Sequence, residues 1–393
     1  MRILPMPGRV AALTLVGLAT AAVPAAAQFR DDFDAPTLQG WTFFTGDGAA
    51  VMDFRPTNGL GVITVDATRD RDNIWWALIK RDIAGSIDLA RLASPGHELR
   101  LEARVRASAA PRRVNLHANT QKTTDFHTHL MEYDLPDTLW HTISMTTHGF
   151  RAGPGDRVNV QLALMDWGLG RYRVDIDYYR ADVVEAARAA PDLGEPLPYQ
   201  PPIGELSRYT HRRAAAQAAV VDPAYPELSY ASWHLGGSTG PEHVLTVGGS
   251  QYVILRWDLR AFAGRRAAGP AVLELTTRAL QRIVAEPEEL GQVRIVEILG
   301  GDPAWERRTV TFASLARGEP LEQLFNPQMV IDARVAEQPG ARTRVTISRP
   351  VLQRLLDGRT RGLVLRALGP VNAVFSGGGP TAAPAPRLYF NVE

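Results

Sequence analysis

Five of the nine histidines lie within thirty-two residues, which concentrates proton-transferring side chains in one short part of the chain. They are His117, His127, His129, His141 and His148. Imidazole titrates close to neutral pH, so it can act as a general base, a general acid or a metal ligand. This histidine cluster is therefore the group of residues in the sequence that could carry chemistry.

Amides accompany these histidines on one face of a predicted strand. Polar and apolar residues alternate over residues 114–121, and alternate side chains of a strand project to the same side of a sheet. The polar set is Asn115, His117, Asn119 and Gln121, and the apolar set, predicted to face a core, is Val114, Leu116 and Ala118. His127 and His129 share a face of the next segment, and pairing as a hairpin would join both sets, with Glu132, Tyr133 and Asp134 at the end.

These amide, imidazole and phenol side chains are the types that β-elimination on a uronate polysaccharide requires. The C5 proton can be removed only when the neighbouring carboxylate is neutralised, and amide or guanidinium donors stabilise the charge that develops. A His or Tyr can then remove the proton while a second one protonates the leaving oxygen. The predicted roles are His117 or His127 as base, Tyr133 as acid, and Asn115, Asn119 or Arg104 at the carboxylate. Further predicted substrate contacts are Gln121, His129 and Trp140.

The segment Val114-Asn115-Leu116-His117 resembles the short amide–apolar–His strand motif of β-jelly-roll alginate lyases. Those enzymes place a Gln or Asn neutraliser, a His and a Tyr on a concave sheet, so the resemblance implies a lyase acting on an acidic polysaccharide. The chain departs from the family in two respects. It has no clear match to the family's arginine–glutamate strand or to its tyrosine-rich closing motif.

A metal ion is an alternative use of the same histidines. His127 and His129, with Glu132 or His141, offer nitrogen and oxygen ligands to Zn²⁺ or another transition ion. The spacing is similar to part of a cupin motif, but the glutamate follows too soon and the second cupin motif is absent.

Binding without catalysis is another alternative, because polar strand faces also form sugar-binding grooves. Tryptophans that could stack on sugar rings, or equally fill a core, are Trp75, Trp76, Trp140 and Trp167. Aspartates that could hold a structural Ca²⁺ are Asp31, Asp32, Asp175 and Asp177, and no organic cofactor is predicted. A glycosidase needs two facing carboxylates, and the spacing of Glu102, Glu132 and Asp134 selects no pair.

The first 27 residues predict a cleavable signal peptide. Arg2 and Arg9 precede the apolar stretch 11–23, and three alanines at 25–27 provide a cleavage point. Their removal leaves 41 basic against 42 acidic side chains, and this balance gives no general electrostatic attraction to nucleic acid. Disulfides are excluded because the chain has no cysteine, and no later stretch is long and apolar enough to span a membrane.

Alternating patterns separated by Gly and Pro predict an all-β chain with two tandem β-sandwich or jelly-roll domains. The predicted domains are 28–185 and 215–393, joined by a Pro- and Ala-rich linker or wrapping segment at 186–214. Strands predicted in the second domain include 271–277, 293–298 and 309–312. One helix is predicted at 350–356, with Pro350 near its start and Gly358 as its stop.

The second domain resembles DNRLRE-type β-sandwich modules, which bind carbohydrate. The matching segments are 219–222, 245–248, 254–259, 305–312, the helix before Gly358, 362–365 and 386–390, and they keep the order of the family. Departures are Ala313 after Phe312, where the family tends to have an aromatic–asparagine pair, and a polar insertion at 286–292. The first domain resembles extracellular jelly rolls of polysaccharide-active proteins in its Asp-rich opening, 29–34, and its closing strand, 174–179.

The sequence thus predicts a secreted or periplasmic two-domain protein whose partner is an extracellular, acidic polysaccharide. The preferred interpretation is a polysaccharide lyase whose second domain anchors it to the polymer. A non-catalytic glycan-binding protein and a His-ligated metal enzyme are the alternatives.

Overall fold

The computed structural model describes residues 28–46, 49–69, 75–124, 128–166, 170–197, 203, 205–231, 243–282, 291–326, 331–378 and 384–393. The predicted signal peptide, His127 and Trp167 lie outside the described residues. No helix among the described residues is long and apolar enough to cross a membrane.

The first half of the chain forms a β-sandwich. Its strands are β1 (Phe29–Asp31), β2 (Thr42–Thr45), β3 (Val51–Thr57), β4 (Leu60–Asp66), β5 (Trp75–Asp82), β6 (His97–Ala107), β7 (Arg112–Asn119), β8 (Leu130–Leu135), β9 (His141–Thr146), β10 (Asn159–Asp166), β11 (Arg171–Glu185) and β12 (Pro196–Leu197), with a helical turn α1 (Leu89–Leu92). Sheet 1 has the order β3-β4-β11-β6-β9, with β1 beside β11, and sheet 2 has the order β12-β8-β7-β10-β5-β2. Neighbouring strands are antiparallel.

The second half forms another sandwich. Its strands are β13 (His211–Ala214), β14 (Gln217–Val221), β15 (His243–Val247), β16 (Tyr252–Arg256), β17 (Ala271–Arg282), β18 (Gln292–Ile298), β19 (Ile331–Ala333), β20 (Arg342–Ile347), β21 (Gly362–Leu368), β22 (Val371–Gly378) and β23 (Arg387–Phe390), and its helices are α2 (Phe312–Ala316), α3 (Leu321–Leu324) and α4 (Arg349–Leu356). Sheet 3 has the order β13-β23-β17-β22-β15, with β20 beside β17, and sheet 4 has the order β14-β16-β21-β18-β19. The predicted all-β class is confirmed.

Each sandwich buries an apolar core between its sheets. In the first, the inward residues of β6 and β7, such as Leu101 and Leu116, are fully buried. Sheet 4 is covered on both faces, because a second apolar cluster around Trp305 and Leu315 packs the segment containing α2 and α3 onto its outer side. Burial of this kind contributes about 25 cal/mol per Å² of apolar surface and dominates the stability of both halves.

The predicted strand at 309–312 is wrong. Residues 309–311 form no strand, and Phe312 begins α2. Thr311 accepts a hydrogen bond from the Ser314 amide, and the Ser314 hydroxyl accepts one from the Thr311 amide, which makes a capping box. Local capping therefore outweighs the β-branched composition of this segment. The predicted helix at 350–356 is present as α4, and Gly358 follows it with a φ of +71°.

The segment predicted as a linker, 186–214, also pairs with strands of both sandwiches. The Ser144 amide, on the edge strand β9, donates to the Leu193 carbonyl (3.1 Å), and β12 pairs with β8. Residues 190–197 therefore cover the edges of both sheets of the first sandwich, and β13 already belongs to sheet 3. Gly194 passes over the Tyr133 ring so closely that a Cβ would lie 2.9 Å from a ring carbon.

A buried ion cluster joins the two sandwiches. Arg354 on α4 donates to Asp134 on β8 (2.7 Å) and to both carboxylate oxygens of Glu297 on β18 (2.8 and 2.9 Å). All three side chains are buried. Arg349, one turn earlier on α4, pairs with Glu195 beside β12 in a more exposed position.

Candidate functional site

The predicted polar face of β7 is present. Asn115, His117 and Asn119 all project from the outer side of sheet 2, since the intervening residues, Leu116 and Ala118, lie in the core. These three polar side chains are, however, only 1, 5 and 2% exposed. The face is therefore closed over at this point rather than open to a polymer.

Neighbouring strands supply partners to this face. Gln161 on β10 lies opposite His117, and its Oε1 accepts from the imidazole Nδ1 at 3.3 Å. On the other side, Glu132 on β8 lies opposite Asn115, and it forms an ion pair with Arg113 (3.0 Å). Buried polar groups need such partners, because an unsatisfied one costs about 1–3 kcal/mol.

Tyr133 does not lie on this face, so its predicted place in the cluster is wrong. Tyr133 lies directly opposite Val114 on β7, so both side chains point into the core, and the Tyr133 side chain is fully buried. Its hydroxyl donates to the Ser144 carbonyl at 2.7 Å, and burial raises its pKa well above the usual value. The position is a structural one in which the proton is held by the backbone.

The described histidines do not converge on a possible metal site, and His127 lies outside the described residues. His129 is half-buried and packs edge-on against Phe150, with ring centroids 5.0 Å apart, and burial lowers its pKa. His141 bonds Asp137 instead (2.8 Å). Among the described residues, no group of three or more His, Asp or Glu side chains could hold a metal ion.

The aspartates considered for Ca²⁺ have protein partners. Asp31 accepts from the Trp41 indole (2.9 Å) and from Arg81 (2.6 Å). The other three pair with arginines, Asp32 with Arg30, Asp175 with Arg106 and Arg173, and Asp177 with Arg104.

Arg104 and Trp140 lie on the opposite side of the first sandwich, so their predicted convergence with Asn115 is wrong. Arg104 belongs to β6 in sheet 1 and pairs with Asp177 at 2.8 Å. Trp140 lies against the guanidinium groups of Arg104 and Arg106, 5.2 and 4.5 Å from its ring centroid. They form a separate surface, and sheets of a sandwich are about 10 Å apart.

The outer side of sheet 2 opens at the Asn119 end. A groove of about 530 Å³ lies there, within the range of about 300–1,000 Å³ typical of small-ligand sites. Two predicted residues, Asn119 and Gln121, line it. The strands and loops also bring Phe44, Lys80, Arg157 and Asn159 to its walls.

Cations exceed available anions in this groove. Neither Lys80 nor Arg157 has an ion-pair partner among the described residues, although Lys122 nearby pairs with Asp156 at 2.7 Å. Asp82 is the acidic residue of the lining, and its Oδ1 already accepts backbone amides at 3.0 and 3.2 Å. The groove lining thus carries two cations against one carboxylate, and neither cation forms an ion pair with the described residues.

Hydrogen-bonding and apolar groups complete the lining. The Nδ2 of Asn119 has no hydrogen-bond partner within the described part of the chain, although the side chain is 2% exposed. Phe44 on the edge strand β2 is 42% exposed, and its side chain lies on the groove side because the preceding Phe43 packs against the core. Exposed aromatic rings beside polar groups are typical of surfaces that bind ligands.

Gln121 helps to shape the groove. Its amide donates to Asp156 (2.8 Å) and its Oε1 accepts from the Arg157 backbone amide (2.9 Å). This bond and those from Lys122 and the Gly153 amide lower the pKa of Asp156 to about 2. The turn after β7 is therefore fastened to the loop before β10, which fixes Arg157 at the groove.

Comparisons with known proteins give only distant structural neighbours. No family model matches the sequence, and no curated protein matches it. Solved structures similar to this chain include carbohydrate-binding modules. One is a module described for promiscuous specificity (16% identity, 41% of this chain, 62% of that chain, TM-score 0.27), and another is CBM4 (17%, 39%, 97%, 0.29). A third is the CBM22-1–CBM22-2 tandem of Paenibacillus barcinonensis Xyn10C (10%, 95%, 98%, 0.27).

This chain spans less than two thirds of the first of these structures. The resemblance to DNRLRE-type modules stays a prediction, since none of the comparisons identifies that family.

Proposed function

We propose that the first sandwich binds a short segment of an extracellular acidic polysaccharide in the groove at the end of β7. The observation that carries the proposal is the pair Lys80 and Arg157, which face the groove without an ion-pair partner among the described residues. Carboxylates of a uronate chain would supply the missing charge. Hydrogen bonds to charged groups contribute about 1.5–3 kcal/mol each, which is enough to select acidic over neutral polymers.

Neutral parts of the sugar are matched by the other lining groups. Asn119 and Asn159 line the groove side by side on β7 and β10, and the buried Asn119 amide N–H would reach a sugar oxygen only after a local opening. Phe44 provides an apolar surface on which a pyranose ring can stack. The groove therefore combines charge, hydrogen-bond direction and stacking, the three elements that recognise a uronate residue.

Binding to matched polymers tests this proposal. Pectate and fully methyl-esterified pectin share one backbone, and only pectate carries the carboxylates. Affinity gel electrophoresis should show strong retardation by pectate, weakening as salt screens the charges, and little by the ester. The double substitution K80M/R157M should weaken pectate binding at least tenfold.

R55M is the matched control, because it removes an exposed arginine of β3 in sheet 1, away from the groove. F44A should weaken retention by both polymers, since stacking does not depend on the carboxylate. Equal retention by pectate and its ester, or wild-type retention of K80M/R157M, would overturn the proposal.

A polysaccharide lyase is the second candidate, and the observation favouring it is the shared face of Asn115, His117 and Asn119. His117 is 5% exposed, so this activity needs the face to open, and it needs a proton donor other than Tyr133. Incubation with alginate, pectate, hyaluronan, chondroitin and ulvan tests it through the ultraviolet absorbance of unsaturated uronate. A rise that H117A abolishes would support the lyase, and no rise with retained binding would leave the binding function alone.

A further inference from the structure

Two arginines lie side by side on the outer face of sheet 4 in the second sandwich. Arg294 on β18 and Arg366 on β21 are direct cross-strand partners. Both project to the side of the sheet away from the main core, in the same orientation as Val296 and Val364 of the outer apolar cluster. Like charges placed opposite each other on neighbouring strands repel.

A carboxylate on the neighbouring strand binds one member of this pair. Asp332 on β19 binds Arg294 through both of its oxygens, at 2.8 and 3.0 Å. Arg366 has no ion-pair partner among the described residues, and it lies on the far side of Arg294 from that carboxylate. Arg366 therefore contributes a positive charge that forms no ion pair with the described residues.

The surroundings of Arg366 make that charge costly. Arg294 is 1% exposed and Arg366 is half-buried. Burial, together with the Arg294 charge, lowers the pKa of Arg366 below its usual value. A guanidinium kept in such a place without a partner gains most from an anion that arrives from outside.

An aromatic ring borders the same position. The guanidinium carbon of Arg366 lies 6.0 Å from the ring centroid of Tyr252 on β16, and that ring packs against Phe325, with centroids 6.1 Å apart. Across four neighbouring strands the face thus presents Tyr252, Arg366, Arg294 and Asp332 in a row. A uronate sugar matches this arrangement, because its carboxylate would pair with Arg366 while its ring would lie against Tyr252.

We propose that Arg366, beside Tyr252 and Arg294, forms a second binding site for a carboxylate of the acidic polysaccharide. The proposal rests on the proposed function, since it assigns the same polymer to the second sandwich. Two sites on one chain raise the affinity for a long polymer by avidity, without any change in the affinity for a short oligosaccharide at either site.

Calorimetric titration of the full chain with trigalacturonate tests both sites separately. Wild type should bind two molecules, R366Q only one, and K80M/R157M only one. Retardation by pectate should fall at least tenfold in R366Q, while R308Q, which removes an exposed arginine of the same sandwich, should behave as wild type.

Thermal unfolding separates a binding role from a structural one. In buffer, R366Q should melt at or above the wild-type temperature, because it removes a buried like-charge contact. Galacturonate should raise the melting temperature of K80M/R157M but not that of K80M/R157M/R366Q.

The outcomes distinguish the two proposals. One bound trigalacturonate that K80M/R157M abolishes and R366Q leaves intact would overturn the second site and keep the groove. One bound molecule that only R366Q abolishes would keep the second site and overturn the groove. A lower melting temperature of R366Q with unchanged binding would overturn the second site by showing that Arg366 is a packing residue.

Discussion

Replacement of Arg354 by methionine should destabilise the protein more than any other single loss of charge at the contact between the sandwiches. Arg354 is 4% exposed and serves two carboxylates, Asp134 at 2% and Glu297 at 0% exposure. R354M leaves both acids buried without the guanidinium that binds them both. Removal of one partner from a buried ion pair costs about 3–5 kcal/mol, because the remaining charge stays desolvated.

The loss of folding stability caused by R354M should depend on pH. Burial raises the pKa of Asp134 to about 6 even with Arg354 present, and the Glu297 charge adds to that effect. Without Arg354, which lowers the pKa of Asp134, this carboxylate should bind its proton still more tightly in the folded state than in the unfolded state. A carboxyl group whose pKa is raised by folding favours the folded state while it is protonated at low pH. This contribution to stability is lost as the pH rises through the folded-state pKa. The deficit of R354M should therefore be larger at pH 8 than at pH 5.

Chemical denaturation followed by tryptophan fluorescence at both pH values measures this effect. R349M is the matched control, since Arg349 lies on the same helix and also bridges the sandwiches, but its pair with Glu195 is 42 and 35% exposed. That pair should contribute less than about 1 kcal/mol. The triple variant R354M/D134N/E297Q should recover much of the loss, because no buried charge remains. An R354M deficit that equals that of R349M, or one that is the same at both pH values, would refute the reasoning.

Three further predictions concern single contacts. G194A should lower the free energy of unfolding by about 1–3 kcal/mol in thermal melts, because the φ of +96° is unfavourable for alanine and the new Cβ would meet the Tyr133 ring. A melting temperature equal to wild type would contradict this. T311A should cost about 1 kcal/mol by the same assay, since it removes the N-cap of α2. K122M should raise the pKa of Asp156 from about 2 towards 3.8 in an NMR titration, because its ammonium group is the largest cause of the depression.

Local pattern was sufficient to predict the strands and the direction of their side chains. In β7 the alternation of Asn115, His117 and Asn119 with apolar residues fixes which face is buried in the core, because the side-chain repeat of a strand is two residues. The same logic placed the strands at β6, β10 and β11. It failed at residues 309–312, where hydrogen bonds between Thr311 and Ser314 begin a helix instead.

Membership of a sheet is a different matter, because it is set by pairing between distant segments. Arg104 and Asn115 are close in sequence and both project outward, yet β6 and β7 belong to opposite sheets, so the two side chains lie on opposite sides of the sandwich. Tyr133 follows Glu132 by one residue, and that single step along β8 turns it into the core. Sheet membership has no local signature, whereas the inward direction of Tyr133 does, because Met131, Tyr133 and Leu135 alternate with two acidic residues along β8.

The groove illustrates the same division. The sequence alone determined that Asn119 and Gln121 are polar residues at the end of an amphipathic strand. Only the tertiary structure decided that Phe44, Lys80 and Arg157 join them, since β2, β5 and the loop before β10 meet β7 through the strand order of sheet 2. Strand order depends on the burial of whole faces against each other, an energy shared over many residues that no short segment contains.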